Sequence, residues 1–187
     1  MHIYRTRVVI TSSRDPSIRV RNFLNTLQFV LPDSIKINRG KKNLRELFNI
    51  AVSLGALYVV LVLAKKGNPY KMLVYDLQSF STKYIFRLAG LSLPLDYRIT
   101  LNKIRNVGNI KSVCIRNNNC IFLRDFLIDM NLFTTFSNKC QIYVNLEEIS
   151  NKECELLFIL ATENVKFLRV VMEAEKTNAN TNFNPYR

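Results

Sequence analysis

Apolar positions recur along the chain with two periods. Val20, Phe23, Leu24, Leu27, Val30 and Leu31 form the 3.6-residue stripe of an amphipathic helix. Asp15-Pro16 stands before it, so Asp15 is expected as N-cap and Pro16 at the first helical position, with Pro32-Asp33 as the stop. Leu44, Leu47, Phe48, Ala51 and Leu54 give a second stripe. Asn43 and Glu46 precede it at capping-box spacing, and Gly55 suits the position after its end. The β-branched run Arg7–Thr11, the alternating Ser34–Asn38, the continuous apolar run Tyr58–Ala64 and Lys71–Leu77 read as strands. A continuous run suits a strand buried on both faces. The order β-α-β-α-β-β predicts three parallel strands joined by right-handed crossovers, with the fourth returning antiparallel.

The pattern weakens beyond Leu77. Tyr84–Leu93, Lys111–Arg116 and Gln141–Leu146 read as strands, with a turn at Asn117–Asn119. A helix is expected from about Cys120, carrying Phe122, Phe126, Leu127, Met130 and Phe133. Ser150 and Glu153 are spaced as a capping box, which would make 153–162 helical; Cys154–Thr162 and Phe167–Glu175 read instead as a hairpin, and the hairpin is favoured. In that form the second half echoes the first: strand, helix, strand, paired strands. The class is α/β with mixed sheets, in one domain over residues 1–176 with halves of about 1–94 and 95–176. Residues 177–187, rich in Asn, read as a disordered tail.

Charge changes the picture. The 187 residues carry 27 Lys and Arg against 14 Asp and Glu, a net +13. Residues 1–94 hold 15 basic and 4 acidic residues, +11, which leaves 12 and 10, or +2, for residues 95–187. A polyanion site is therefore expected in the first half. Three loops leave the C-terminal ends of the parallel strands: Ser12–Asp15, Arg39–Lys42 and Lys65–Asn68. In an open α/β sheet those ends share the edge where ligands bind. All three loops are basic, and two lead into helix N-termini, which favour phosphate. Each loop alone reads better as an ordinary solvated connection; their convergence on one edge, with the charge asymmetry, favours an anion site. Its candidate residues are Ser13, Arg14, Arg19, Arg21, Arg39, Lys41, Lys42, Lys65 and Lys66. Tyr58, Tyr70 and Tyr75 are candidates for base stacking, set against roles in packing.

Other chemistry is sparse. The single histidine is His2, which leaves little for His-dependent hydrolases, acid–base pairs or metal sites. No Walker loop, GxGxxG or paired-carboxylate spacing is present, so no catalytic residue, cofactor or metal is expected. Cys114, Cys120, Cys140 and Cys154 form no CxxC pair and are expected to be buried free thiols in a reducing compartment. The most apolar run, Ala51–Ala64, is 14 residues long with Gly55 inside it, short of the roughly 20 needed to cross a membrane. A cytoplasmic chain, monomeric when free and without membrane contact, is expected.

The same loops carry a family resemblance. Ile10-Thr11-Ser12-Ser13-Arg14-Asp15-Pro16-Ser17, followed by Arg19 and Arg21, resembles the opening of Brix-domain proteins. Ile37-Asn38-Arg39-Gly40-Lys41 with Leu44-Arg45-Glu46-Leu47 is similar to that family's second motif, and Lys66-Gly67-Asn68-Pro69 with Leu73-Val74-Tyr75-Asp76-Leu77 to its third. The match is dense over residues 7–78 and loose to about 175, and its length is that of the compact archaeal form. The Gly-Pro-Thr-rich stretch of many eukaryotic members is missing between Asp76 and Leu88, and Asn164-Val165-Lys166 stands in place of a Gly-Pro-Arg-like turn. The resemblance implies two pseudo-symmetric α/β halves, each like the anticodon-binding domain of one class of aminoacyl-tRNA synthetases. It implies a non-enzymatic factor in ribosome biogenesis and rRNA processing that binds ribosomal RNA or precursor rRNA as an assembly chaperone. As the alternative, eukaryotic members pair with smaller proteins, which implies a scaffold with a small protein partner on the C-terminal half.

Overall fold

A computed structural model describes residues 6–100, 102, 104, 113–132 and 140–175. The chain divides into two compact units, one built from residues up to Gln28 and Asp33–Arg87, the other from Phe29–Pro32 and Leu88–Ala174.

In the first unit β1 (Val8–Ser12), α1 (Ile18–Val30), β2 (Ser34–Lys36), α2 (Leu44–Ser53), β3 (Tyr58–Lys65) and β4 (Asn68–Asp76) follow in order, and β5 (Ser81–Ser92) begins there. The strand order is β2-β1-β3-β4-β5. β1 is parallel to both β2 and β3, with Ile10 opposite Lys36 and Val60. β3–β4 and β4–β5 are antiparallel. With β1 central among the parallel strands, right-handed crossovers send α1 and α2 to opposite faces. α2 buries Leu47, Phe48 and Ala51 against Val9 and Val59. All six residues of the predicted α1 stripe are buried. The Asn43–Glu46 capping box forms as expected, with both reciprocal hydrogen bonds present at 2.8 and 2.9 Å.

The second unit contains the end of β5, β6 (Val113–Asn118), α3 (Ile121–Asp129), β7 (Ile142–Ser150), β8 (Glu153–Leu160) and β9 (Val165–Glu175). Its order is β5-β9-β8-β7-β6, with β6 parallel to β7 and the β7–β8 and β8–β9 pairs antiparallel. A parallel pair joined through helix, then two antiparallel returns, repeats the plan of β1, β3, β4 and β5. The hairpin reading of 153–175 holds, because alternate residues Cys154, Leu156 and Phe158 fill one face. Gly90 sits inside β5 where a Cβ would lie 3.2 Å from Val171 Cγ2.

Several expectations are corrected. Asp15 is not the N-cap of α1 and Pro16 is not its first residue. Asp15 takes φ +50° in the preceding turn, and the Ser17 hydroxyl accepts the Val20 N–H at 3.2 Å. Leu54 is 39% exposed because α2 ends before it, and it serves as the C-cap. Asn117 and Asn118 continue β6 and do not turn. β4 starts at Asn68, before its expected start, because the two-residue Lys66-Gly67 turn leaves β3–β4 pairing intact up to the loop, and β5 starts early at Ser81, where it already pairs with Asp76 of β4. The four cysteines are not free thiols: Cys114–Cys140 and Cys120–Cys154 are disulfides, with Cα atoms 5.8 and 6.1 Å apart. The β6–β7 register sets Cys114 opposite Tyr143, three residues from Cys140. Lys111, Phe133 and the tail at 177–187 lie outside the described residues.

Candidate nucleic-acid interface

The parallel β2-β1-β3 arrangement brings three loops to one edge of the first unit, and local bonds pin each of them. The Ser13 N–H donates to Val62 O at 3.0 Å, so the first loop leaves β1 while still paired with β3. The Ile37 N–H donates to Ile10 O at 2.9 Å, and the Thr11 hydroxyl donates to Ile37 O at 2.9 Å, which ties the second loop to the same end of β1. The third loop is the two-residue Lys66-Gly67 turn between β3 and β4, with φ +49° and +79°. Both values lie in the left-handed region that primed hairpin turns require, which suits glycine at position 67.

Ser17 joins the first loop to the third. Its hydroxyl caps α1 and donates to Gly67 O at 2.5 Å, across 50 residues of sequence. Sequence reasoning missed this residue, because Asp15-Pro16 is the stronger local signal and the Gly67 contact is non-local.

The candidate residues distribute over these loops. Arg14, Arg21, Lys41, Lys42, Lys65 and Lys66 are exposed, and Ser13, Arg19 and Arg39 are partly covered. Two arginines are braced by backbone carbonyls: Arg21 Nε donates to Pro16 O at 3.0 Å, and Arg39 Nε to Lys42 O at 3.1 Å. Arg14, Lys41, Lys42, Lys65 and Lys66 make no ion pair among the described residues. Of the acids in this region, Glu46 is held by the capping box and Asp15 is exposed. The edge is thus a set of exposed cations beside two helix N-termini, an arrangement suited to a chain of phosphates.

The tyrosines separate by register. Tyr58 opens β3 opposite Val8, at the end away from the loops; it is buried, with Arg7 and Lys83 over its ring at 5.9 and 5.5 Å. Tyr75 faces Val59 in the β3–β4 register and packs edge-on against Phe48 at 5.0 Å. Burial raises its hydroxyl above the ordinary 10.0, with the Arg39 guanidinium pulling the other way. Both are packing residues. Tyr70 alone stands at the loop end, where β4 leaves the Lys66-Gly67 turn, and it is half-buried.

Fold and edge together define a mixed α/β protein with a basic, loop-built surface. Comparison with known proteins narrows the class. No family model matches the chain. A probable Brix domain-containing ribosomal biogenesis protein of Saccharolobus solfataricus is 59% identical over 174 residues, covering 93% of this chain and 100% of that protein. Another, from Sulfurisphaera tokodaii, is 34% identical over 186 residues, 98% of this chain and 100% of that protein. The chain belongs to the Brix-domain ribosomal biogenesis proteins. Among solved structures, a probable ribosomal biogenesis protein from Aeropyrum pernix K1 matches with TM-score 0.74 at 22% identity, over 92% of this chain and 99% of that one. An archaeal Imp4-like protein matches with TM-score 0.65 at 17% identity, over 91% and 99%. These two share the fold.

Proposed function

We propose that the chain binds ribosomal RNA or its precursor during ribosome assembly, through phosphate contacts on the basic edge, and catalyses no chemical step. The observation that carries this reading is the gathering of the 13–17, 39–42 and 66–67 loops on one edge, the first and third joined by the Ser17–Gly67 bond and the second tied to the end of β1 through Ile37. Arg14, Arg19, Arg21, Arg39, Lys41, Lys42, Lys65 and Lys66 then contact phosphates, and Ser13 contributes its hydroxyl. Such contacts fix position and carry little sequence information. Holding two RNA segments on three loops makes the protein an assembly chaperone, working in the cytoplasm as a monomer when free. Among the described residues no helix is long and apolar enough to cross a membrane.

Charge reversal tests this. Arg39, Lys41 and Lys42, all on one loop, are changed to Glu, and compared with the exposed second-unit residues Arg124, Lys152 and Lys166 changed to Glu. The first triplet is expected to weaken binding to an rRNA fragment by roughly 100-fold or more, and the second by far less. Equal losses would replace the one-edge reading with diffuse attraction.

A second reading, a protein scaffold, is favoured by one observation. Ile121 and Ile128 stand two turns apart on α3 and are 86% and 41% exposed. A small protein partner on the second unit would cover them. Failure of the purified chain to bind rRNA at physiological salt would put this reading first.

A further inference from the structure

Ile18 is the first residue of α1, next to the Ser17 cap, and is 76% exposed. Its neighbours in the chain and across the Ser17–Gly67 bond include Arg19, Lys65 and Lys66. A large aliphatic side chain left open among cations contributes nothing to the core, and a phosphate has no use for it. Tyr70 lies three residues past Gly67, at the same loop end, and is only partly buried. The Ser17–Gly67 hydrogen bond draws these two segments together, so the basic edge carries an exposed aliphatic and a partly buried aromatic residue among positive charges. Duplex RNA offers phosphates and sugars at its surface and keeps its base faces stacked inside. Unpaired RNA offers both phosphates and free base faces.

We infer that the basic edge takes an unpaired RNA segment, with a base packed against Tyr70 and Ile18 while the flanking phosphates lie on the cationic loops. This rests on the RNA-binding reading above and names the form of RNA that the site selects. The charges supply attraction common to all RNA, and the apolar pair supplies the preference for unpaired over paired strands.

The test compares an unpaired oligoribonucleotide with a duplex of equal length, at two salt concentrations, on the full chain. The unpaired strand carries 2-aminopurine, whose emission is quenched on stacking. The wild-type chain is expected to quench it and to favour the unpaired strand. Tyr70→Ala is expected to lower affinity for that strand roughly 5- to 150-fold, the range for loss of one base–aromatic stack, and to remove the quenching. Tyr70→Phe is expected to retain both. Ile18→Ser, at an exposed position with no core role, is expected to cost about fivefold, the worth of covering roughly 40 Å² of apolar surface. Neither variant is expected to alter duplex binding or the salt dependence. Equal losses for duplex and unpaired RNA, or no loss and no quenching, would overturn the inference while leaving phosphate binding by the loops in place. If the Arg39, Lys41 and Lys42 reversal also left binding intact, the RNA reading itself would fall.

Discussion

Ser17 makes two bonds with one hydroxyl, so its removal has a magnitude that can be worked out. As N-cap it satisfies the Val20 N–H, and Ser→Ala at such a position costs about 1 kcal/mol. Its donation to Gly67 O lies in an exposed turn, where water can replace it, so the low end of a hydrogen bond's net worth applies, about 0.5 kcal/mol. Ser17→Ala should therefore destabilise by about 1.5 kcal/mol in urea denaturation. Asp15→Gly is the contrast. Were Asp15 the cap, the change would cost a few tenths of a kcal/mol. Because Asp15 instead holds φ +50°, glycine relieves the left-handed backbone, and the change should be neutral or stabilising by up to about 1 kcal/mol. Ser17→Thr should recover most of the loss. A Ser17→Ala variant as stable as wild type, with Asp15→Gly destabilised, would refute the assignment and restore the cap that the local sequence suggests.

Two further outcomes follow from the structure. The disulfides close spans of 26 and 34 residues, each worth about 3.5 kcal/mol on the loop-entropy account, with less than the sum expected because the spans overlap. Reductant should lower the urea midpoint and leave rRNA affinity unchanged, since Cys114, Cys120, Cys140 and Cys154 all lie outside the first unit; unchanged stability, or free thiols titrated in the unreduced, unfolded chain, would argue against the pairing. Burial raises the Tyr75 hydroxyl, so the unfolded chain ionises there first: stability is whole below about pH 10 and declines as pH rises through the folded-state value. Tyr75→Phe should lose that portion of the alkaline decline, seen as a shallower fall of the urea midpoint above about pH 10; identical profiles would deny the burial.

Local signals were legible where local physics decides. The Asn43–Glu46 box lies within one helical turn, and both of its bonds form. The edge was legible for a different reason: parallel strands must end together, so three basic loops on separate strands converge whatever their details. What stayed hidden depends on register and distance. Tyr58 and Tyr70 lie 12 positions apart, and only the β3–β4 pairing tells which end of the sheet each occupies. The cysteine spacings show no motif, and nothing in them reveals Cα separations near 6 Å. Ser17 looked incidental beside Asp15-Pro16 because its second partner, Gly67, is 50 residues away.

The central claim is that the loops of the first unit neutralise RNA phosphates, and salt dependence measures this most directly. If about five phosphates are held, the log–log slope of affinity against salt for unpaired RNA should be about −3.5, at about −0.7 per phosphate. Between about 50 and 200 mM salt that is a loss on the order of 100-fold. Changing Lys65 and Lys66, exposed at the end of β3 and in the turn, to Ala should flatten the slope by roughly 1.4 and weaken all sequences alike. A slope near zero for wild type, or a double variant whose slope matches wild type, would contradict the account and remove these loops from the RNA site.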